Sequence, residues 1–381
     1  MTANAQTPLR IGIVCYPSPG GSGIVATELA CELARRGHAV HIFSHDVPFR
    51  LDPCRGRLTY HPVKAPEHPV LVASPYEAAL AGTIVNTARR VRLDVLHVHY
   101  AVPHVSAAWL AAAVLGGEAP AIVATLHGSD VTMLGRDPAL RPVLAHTLEH
   151  AHAVTTVSSY MAARTREQFG LQREIEVIPN FVDPAVYAGP PDAALRAQYA
   201  APEEAVVLHA SNFRPVKKVE DVVRIFARIA RRRPARLLLV GEGPDSPAAY
   251  RQAVAEDVED RVVFMGTHPN VAPIFRIADL FLLPSADEGF GLSALEAMAA
   301  GVPVVASAVG GLPEVIEDGV SGLLFPPDDV EAMAEGGLRL LDDAELRAAV
   351  VAAARRRVLE RFTSDRVVPM YEDVYRRAAG R

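Results

Sequence analysis

Short apolar runs alternate with longer stretches of helical spacing along the whole chain, and they do so in two series. The first series comprises RIGIVCY (10–16), AVHIFS (39–44), VLHVHY (95–100), AIVATLH (121–127), AVTTVS (153–158) and IEVIPN (175–180). The second comprises AVVLHA (205–210), RLLLVG (236–241), VVFMG (262–266), LFLLPS (280–285), PVVAS (303–307) and GLLF (322–325). Runs this rich in β-branched residues and this continuously apolar suit strands covered on both faces, as in a parallel sheet. Between the first two lies GSGIVATELACELARRGH, where Ile24, Val25, Leu29 and Leu33 share one helical face and Gly37 suits a C-cap. Further helical patterns cover 219–232 and 292–300. The expected class is α/β, with two Rossmann-like doubly wound domains. At 381 residues the chain exceeds one ordinary core and accommodates two. The Pro- and Gly-bearing stretch near 181–204 reads as the linker, and Asp342–Arg381 as mostly helical with a break near Phe362–Ser364.

Composition removes several function classes. Lys plus Arg number 38 against 44 Asp plus Glu, a formal net charge of −6, where a nucleic-acid binder normally shows a basic face. The local basic runs Arg231–Arg233 and Arg355–Arg357 read as solvated helix surface. Cys15, Cys31 and Cys54 form no CxxC pair and no metal-ligand spacing. Cys15 lies in an apolar strand and Cys31 in an apolar helix pattern, so buried thiols and a reducing cytoplasm are expected. The start, MTANAQTPLR, lacks the apolar core of a signal peptide, and no stretch of about 18 apolar residues follows. The expectation is a cytoplasmic protein with no membrane anchor.

In open α/β sheets ligands bind at the carboxyl ends of strands, and with two such domains the cleft between them is the natural place for chemistry. At the first strand end, Gly20, Gly21 and Gly23 allow close backbone approach ahead of a helix N-terminus. The segment is neither a Walker loop nor a G-x-G-x-x-G fingerprint, and a simple connecting turn would look the same. His99, Tyr100, His104, His127, Ser129 and Asp130 all follow apolar strands on one side of one sheet. No His-x-x-x-His pair with a Glu accompanies them, so a pocket for a small hydroxylated or carboxylated molecule is more economical than a zinc site. In the second series Arg214, Lys217 and Lys218 follow a strand, either to hold a diphosphate or as a solvated basic turn. VGEGPD (240–245) and FMGTHPNV (264–271) bring Gly241 and Gly266 to strand ends, as walls of a nucleotide pocket. In SADEGFGLSALEAMAAG (285–301), Glu288 falls in the loop and Glu296 more than a turn into the helix. Carboxylates there suit vicinal hydroxyls, while helix-start N–H groups suit phosphate.

Glu288 and Glu296 with seven residues between them, followed by EAMAAGVPVVAS and VGGLPEVI, resemble the retaining glycosyltransferases of family 4, which have the GT-B fold. The resemblance spans essentially the whole chain and implies two domains facing a central cleft. An acceptor-binding domain would cover 1–182 plus about 363–381, and a nucleotide-sugar-binding domain 183–362. CYPSPGGSGIVATELACELARRGH, LDVLHVHYAVPH, TLHGSDVTMLGRDP and SNFRPVKKVEDVVRIF resemble the branch that transfers GlcNAc from UDP-GlcNAc to the hydroxyl of L-malate, the first step of bacillithiol biosynthesis. Transfer to inositol phosphate, as in the mycothiol pathway, or to a lipid or glycan acceptor is the alternative within the family. An epimerase-like protein acting on UDP-GlcNAc is the alternative from another class.

The resemblance also implies roles. Glu296 would bind the uridine ribose and Glu288 a sugar hydroxyl, with the N–H groups of Phe290, Gly291 and Leu292 around sugar and phosphate. Asn212 stands where the family usually has arginine, so Arg214, Lys217 and Lys218 share the diphosphate in an order left open. His127 matches the family histidine near sugar and acceptor. Gly20, Gly21 and Ser22 would close over donor phosphates and malate, and Tyr100 and Ser129 would face malate. No Asp-x-Asp motif marks a metal site, so neither cofactor nor obligatory divalent cation is expected. The partners implied are the two small substrates, with neither nucleic acid nor membrane. A homo-oligomer is left open.

Overall fold

The computed structural model describes residues 7–18, 20–51, 58–67, 69–70 and 73–381. The chain forms two compact units, Met1–Pro179 with Val367–Arg381, and Asn180–Arg366. The first is built on strands β1 (Arg10–Val14), β2 (Ala39–Ser44), β3 (Leu58–Pro62), β4 (Val95–His99), β5 (Ala121–Leu126), β6 (Ala153–Thr156) and β7 (Glu176–Val177). They form a seven-stranded sheet in the order β3-β2-β1-β4-β5-β6-β7. Every pairing in it is parallel. All residues of β4, β5 and β6 are buried, which explains their largely apolar reading.

The second unit carries β8 (Ala205–Ala210), β9 (Ala235–Val240), β10 (Val262–Gly266), β11 (Leu280–Leu283), β12 (Val304–Ser307) and β13 (Leu323–Phe325). These form a six-stranded parallel sheet, β10-β9-β8-β11-β12-β13. Both sheets reverse strand order between their first strand and its two neighbours, the switch point at which such sheets bind ligands.

Helix Val219–Ala230 shows how the second core is assembled. Val219, Val222, Val223, Phe226, Ala227 and Ala230 recur at helical spacing and are buried against Leu237, Leu239 and Leu282. Glu220 and Asp221 sit in its first turn, where negative charge complements the helix dipole. Arg228 on its outer face and Arg232 and Arg233 just beyond its end pair with helix Val330–Asp342, through Arg228–Glu331 at 2.6 Å, Arg232–Glu335 at 2.6 Å and Arg233–Asp342 at 2.7 Å.

The last helix, Ser364–Ala378, returns to the first unit and buries Tyr371 and Tyr375 completely. Tyr375 Oη lies 2.7 Å from His97 Nδ1 on β4, and Glu372 Oε1 lies 2.9 Å from His38 Nε2. No helix among the described residues is long and apolar enough to cross a membrane.

The structure departs from the sequence reading at several places. Strand β3, LTYHP, was not anticipated: it is an edge strand, half exposed, and carries polar residues and a terminal proline. IEVIPN contracts to the two-residue β7. The stretch read as linker contains helices Pro184–Tyr187 and Ala193–Ala197, each started by an aspartate, Asp183 and Asp192, whose side chain accepts from first-turn N–H groups. Arg355 and Arg357 are more than solvated surface. Arg355 Nη2 donates to Ala300 O at 3.0 Å, and Arg357 Nε to Val315 O at 2.7 Å, so both cap helix carbonyl ends. Cys15 is a buried free thiol, pushed up to about 12 by burial. Cys31 is disulfide-bonded where a thiol was expected. Cys54 lies outside the described residues.

Phe226 is fully buried, whereas the Arg232–Glu335 pair is exposed on both sides. Phe226→Ala is expected to lower stability by about 3–5 kcal/mol. Arg232→Ala should cost at most about 1 kcal/mol. Chemical denaturation of both variants beside the wild type checks the contrast.

Candidate functional site

In the first unit the candidate residues gather at the carboxyl ends of β1, β4 and β5. Helix Gly21–Arg35 follows β1, with Gly20 as an N-cap that has no side chain to satisfy the first-turn N–H groups. Gly23 is the glycine the turn cannot replace, since an added Cβ would stand 2.6 Å from Ser18 O and 2.8 Å from Tyr16 O. Gly20, Gly21 and Ser22 thus occupy an uncapped helix start, an arrangement that favours an anion.

Across the sheet, Asp130 organises the neighbouring loops. Its buried carboxylate accepts from Gly128 N–H at 2.8 Å, His127 N–H at 3.2 Å and Ala101 N–H at 3.2 Å. One side chain therefore ties the loop after β4 to the loop after β5. Burial raises its carboxyl, and the backbone donors oppose that rise. Tyr100 takes a left-handed backbone, φ 82°, and its hydroxyl lies 2.8 Å from Ser129 Oγ. These two residues, both expected to face the acceptor, are adjacent. Tyr16 packs edge-on to Tyr100 at 5.3 Å and its hydroxyl donates to Val102 O at 2.7 Å.

His127 is half-buried, and its Nε2 lies 3.0 Å from Nδ1 of the fully buried His99. His104 Nδ1 donates to the His99 carbonyl at 2.6 Å. His97 Nε2 reaches Thr125 Oγ1 at 2.6 Å, and Thr125 Oγ1 reaches Thr155 Oγ1 at 2.6 Å. Burial disfavours the charged rings: His97 falls to about 3 and His104 to about 4, and His99 and His127 are lowered as well. The cluster is a set of neutral, hydrogen-bonded rings.

The second unit brings together the residues after β8, β9, β11 and β12. His209 Nδ1 donates to Leu282 O at 2.8 Å, so its Nε2 accepts from the Ser211 hydroxyl at 2.8 Å. Ser211 Oγ in turn accepts from Phe213 N–H at 3.2 Å, where Phe213 is buried with φ 37°. This chain fixes the loop that carries Asn212, Arg214, Lys217 and Lys218. Asn212 Oδ1 is buried without a hydrogen-bond partner, and Arg214 is exposed. Gly241 N–H donates to Gly266 O at 2.8 Å, joining the ends of β9 and β10.

Lys217 Nζ lies 2.6 Å from Glu288 Oε2, and Ser285 Oγ lies 3.3 Å from the same oxygen. Lys218 instead pairs with Asp328 at 2.9 Å, on the surface. Lys217 and Lys218 are therefore not equivalent, a distinction the sequence left open. The Glu288 backbone is clamped as well: its carbonyl accepts from Gly311 N–H at 2.8 Å, and a Cβ on Gly310 would stand 2.0 Å from it. Helix Leu292–Ala300 begins at Gly291, φ 96°, with no capping side chain, so the N–H groups of its first turn are open to an anion. Phe290 is buried and packs at 5.8 Å against Phe362. Glu296, buried in that helix, accepts from Tyr187 Oη at 2.6 Å.

Sequence reasoning missed Tyr187, His209 and Ser211. Tyr187 stood in the presumed linker, and His209 lay inside an apolar run; no local pattern marks either. Among the described residues no group of three or more His, Cys, Asp or Glu side chains is placed to hold a metal ion.

The chain resembles known proteins over most of its length. Residues 19–186 match the family described as Glycosyltransferase Family 4, and residues 192–357 match Glycosyl transferases group 1. The chain is 42% identical over 368 residues to N-acetyl-alpha-D-glucosaminyl L-malate synthase of Bacillus anthracis, covering 96% of each protein. It is 32% identical over 403 residues to D-inositol 3-phosphate glycosyltransferase of Stackebrandtia nassauensis, covering 94% of this chain and 88% of that one. Among solved structures, Anabaena Alr3699/HepE in complex with UDP and glucose superposes with a TM-score of 0.81 at 20% identity, covering 96% of this chain and 98% of that one. That likeness concerns the fold.

The buried histidines set a pH dependence. With His97 at about 3, His104 and His209 at about 4, and His99 and His127 also depressed, the unfolded chain binds more protons than the folded one below about pH 6.5. Asp130, raised by burial, acts in the opposite direction but through a single proton. Stability is expected to be full above pH 7 and to fall as pH drops toward 5. Denaturant midpoints at pH 7.5 and 5.5 test this, and equal midpoints contradict it.

Proposed function

The chain belongs to glycosyltransferase family 4, and we propose that it moves GlcNAc from UDP-GlcNAc to the hydroxyl of L-malate with retention at the anomeric carbon. The observation that carries this reading is the end-to-end similarity to the Bacillus anthracis synthase. The pairing of Tyr100 with Ser129 and the neutral His127 in the first unit supply polar groups suited to a small hydroxy acid.

In this reading the second unit holds the donor. Glu296 takes the ribose hydroxyls, Glu288 a sugar hydroxyl, and the uncapped start of helix Leu292–Ala300 meets phosphate. Lys217 is the principal cation on the diphosphate because it is the one already placed beside Glu288; Arg214 assists from the exposed loop. The malate oxygen attacks the anomeric carbon from the face that UDP leaves. The new glycosidic C–O bond forms as the bond to the β-phosphate oxygen breaks, and the malate proton passes to that leaving oxygen. Cations and helix N–H groups stabilise the charge that develops there. His127 positions sugar and acceptor and takes no proton. We assign no resident metal or cofactor to this chemistry and place it in the cytoplasm. Transfer to inositol phosphate is the second reading, favoured by the similarity to the Stackebrandtia enzyme.

Incubation with UDP-GlcNAc alone, with added malate, and with added inositol phosphate separates the readings. Release of UDP with malate alone is expected; release with inositol phosphate instead moves the assignment to the second reading, and epimerised sugar without acceptor discards both. His127→Ala is expected to lower kcat by about a hundredfold while UDP binding stays nearly unchanged. Activity should survive EDTA; loss restored by magnesium would show that the cations of the chain do not suffice.

A further inference from the structure

His99 has no part in the reaction described above, yet it is the residue on which His127 rests. Two neutral imidazoles share one proton across the 3.0 Å between His99 Nδ1 and His127 Nε2. The far nitrogen of His99, Nε2, is buried with no hydrogen-bond partner. If His127 supplied the shared proton, His99 would carry its own on Nε2, leaving a buried N–H with no acceptor. If His99 supplies it, Nε2 is a bare ring nitrogen, and an orphaned acceptor is better tolerated than an orphaned N–H. The second arrangement leaves the proton of His127 on Nδ1.

We propose that His99 is a positioning residue that fixes His127 as the Nδ1–H tautomer, so that His127 meets the substrates as a hydrogen-bond donor and not as a base. The proposal rests on the reading that His127 lies beside sugar and acceptor. Its elements are held from several sides. His104 Nδ1 donates to the His99 carbonyl at 2.6 Å, and the His97 ring packs on the His99 ring with centroids 4.1 Å apart. His97 is itself held between Tyr375 Oη at 2.7 Å and Thr125 Oγ1 at 2.6 Å. The last helix thereby braces the ring that braces His99. Burial first, then His97, His127 and His104, keeps His99 from taking a second proton, so the shared proton stays single. A His127 with Nε2 occupied and Nδ1 protonated has no lone pair to offer the acceptor hydroxyl, whose proton goes to the leaving phosphate.

The test uses the full-length protein labelled with ring-15N histidine. Long-range 1H–15N spectra report the tautomer, and the His127 signals are assigned by their absence in His127→Asn. The expected result is Nδ1–H in the wild type and a mixture of tautomers in His99→Phe. In the same variant kcat should fall about tenfold or more, with KM for the donor and UDP affinity unchanged. His99→Asn, whose amide can donate to His127, should recover part of the loss. An Nε2–H tautomer in the wild type overturns the proposal, as does an unchanged kcat in His99→Phe. Should the phenylalanine variant fail to fold, the wild-type spectrum and the asparagine variant still decide. The wild-type spectrum needs no substrate, so a failure of the malate assignment leaves the tautomer result standing.

Discussion

A polar side chain within a strand buried on both faces is costly unless something inside the protein satisfies it. That constraint orders both units. Along β5 and β8 every residue is buried, and the few polar side chains are bonded: Thr125 to His97 and Thr155, His209 to Leu282 and Ser211. Groups that can meet a ligand are displaced to the carboxyl ends, where chain leaves the sheet and helix N–H groups begin. The loops there hold no regular ladder of their own, so single side chains fix them. Asp130 does this in the first unit and the His209–Ser211 pair in the second.

Much of this was legible in the sequence, for reasons that particular elements make clear. The doubly covered strands announce themselves because burial on both sides demands unbroken apolar runs. The helix at 292–300 matches its predicted limits because Gly291 and Gly301, both with positive φ, bound an apolar segment. Edge strands carry no such demand, so LTYHP passed unnoticed and IEVIPN was drawn too long. Tyr187 was invisible for a different reason. Its bond to Glu296 spans 109 residues and depends on a short helix started by Asp183, which no periodicity advertises.

The site residues divide in the same way. Glu288 and Glu296 were singled out by their spacing, and Tyr100 and Ser129 by their positions beyond strands. Their partners were not. Nothing in PVKK distinguishes Lys217 from Lys218; the three-residue 3-10 turn and the left-handed Lys218 backbone, φ 49°, send one side chain to Glu288 and the other to Asp328. A reading by residue type finds which chemistry is present, whereas the backbone decides which atoms share it.

The Lys217–Glu288 pair constrains whatever would part it. Both side chains are largely buried, so parting them leaves two poorly solvated charges unless each receives a new partner at once. An anionic group alone would satisfy the lysine, and a hydroxyl group alone the carboxylate. Only a molecule that carries both, at the right separation, exchanges the pair without an orphaned ion. A group that meets only one of the two charges leaves the other to bear the cost of burial alone.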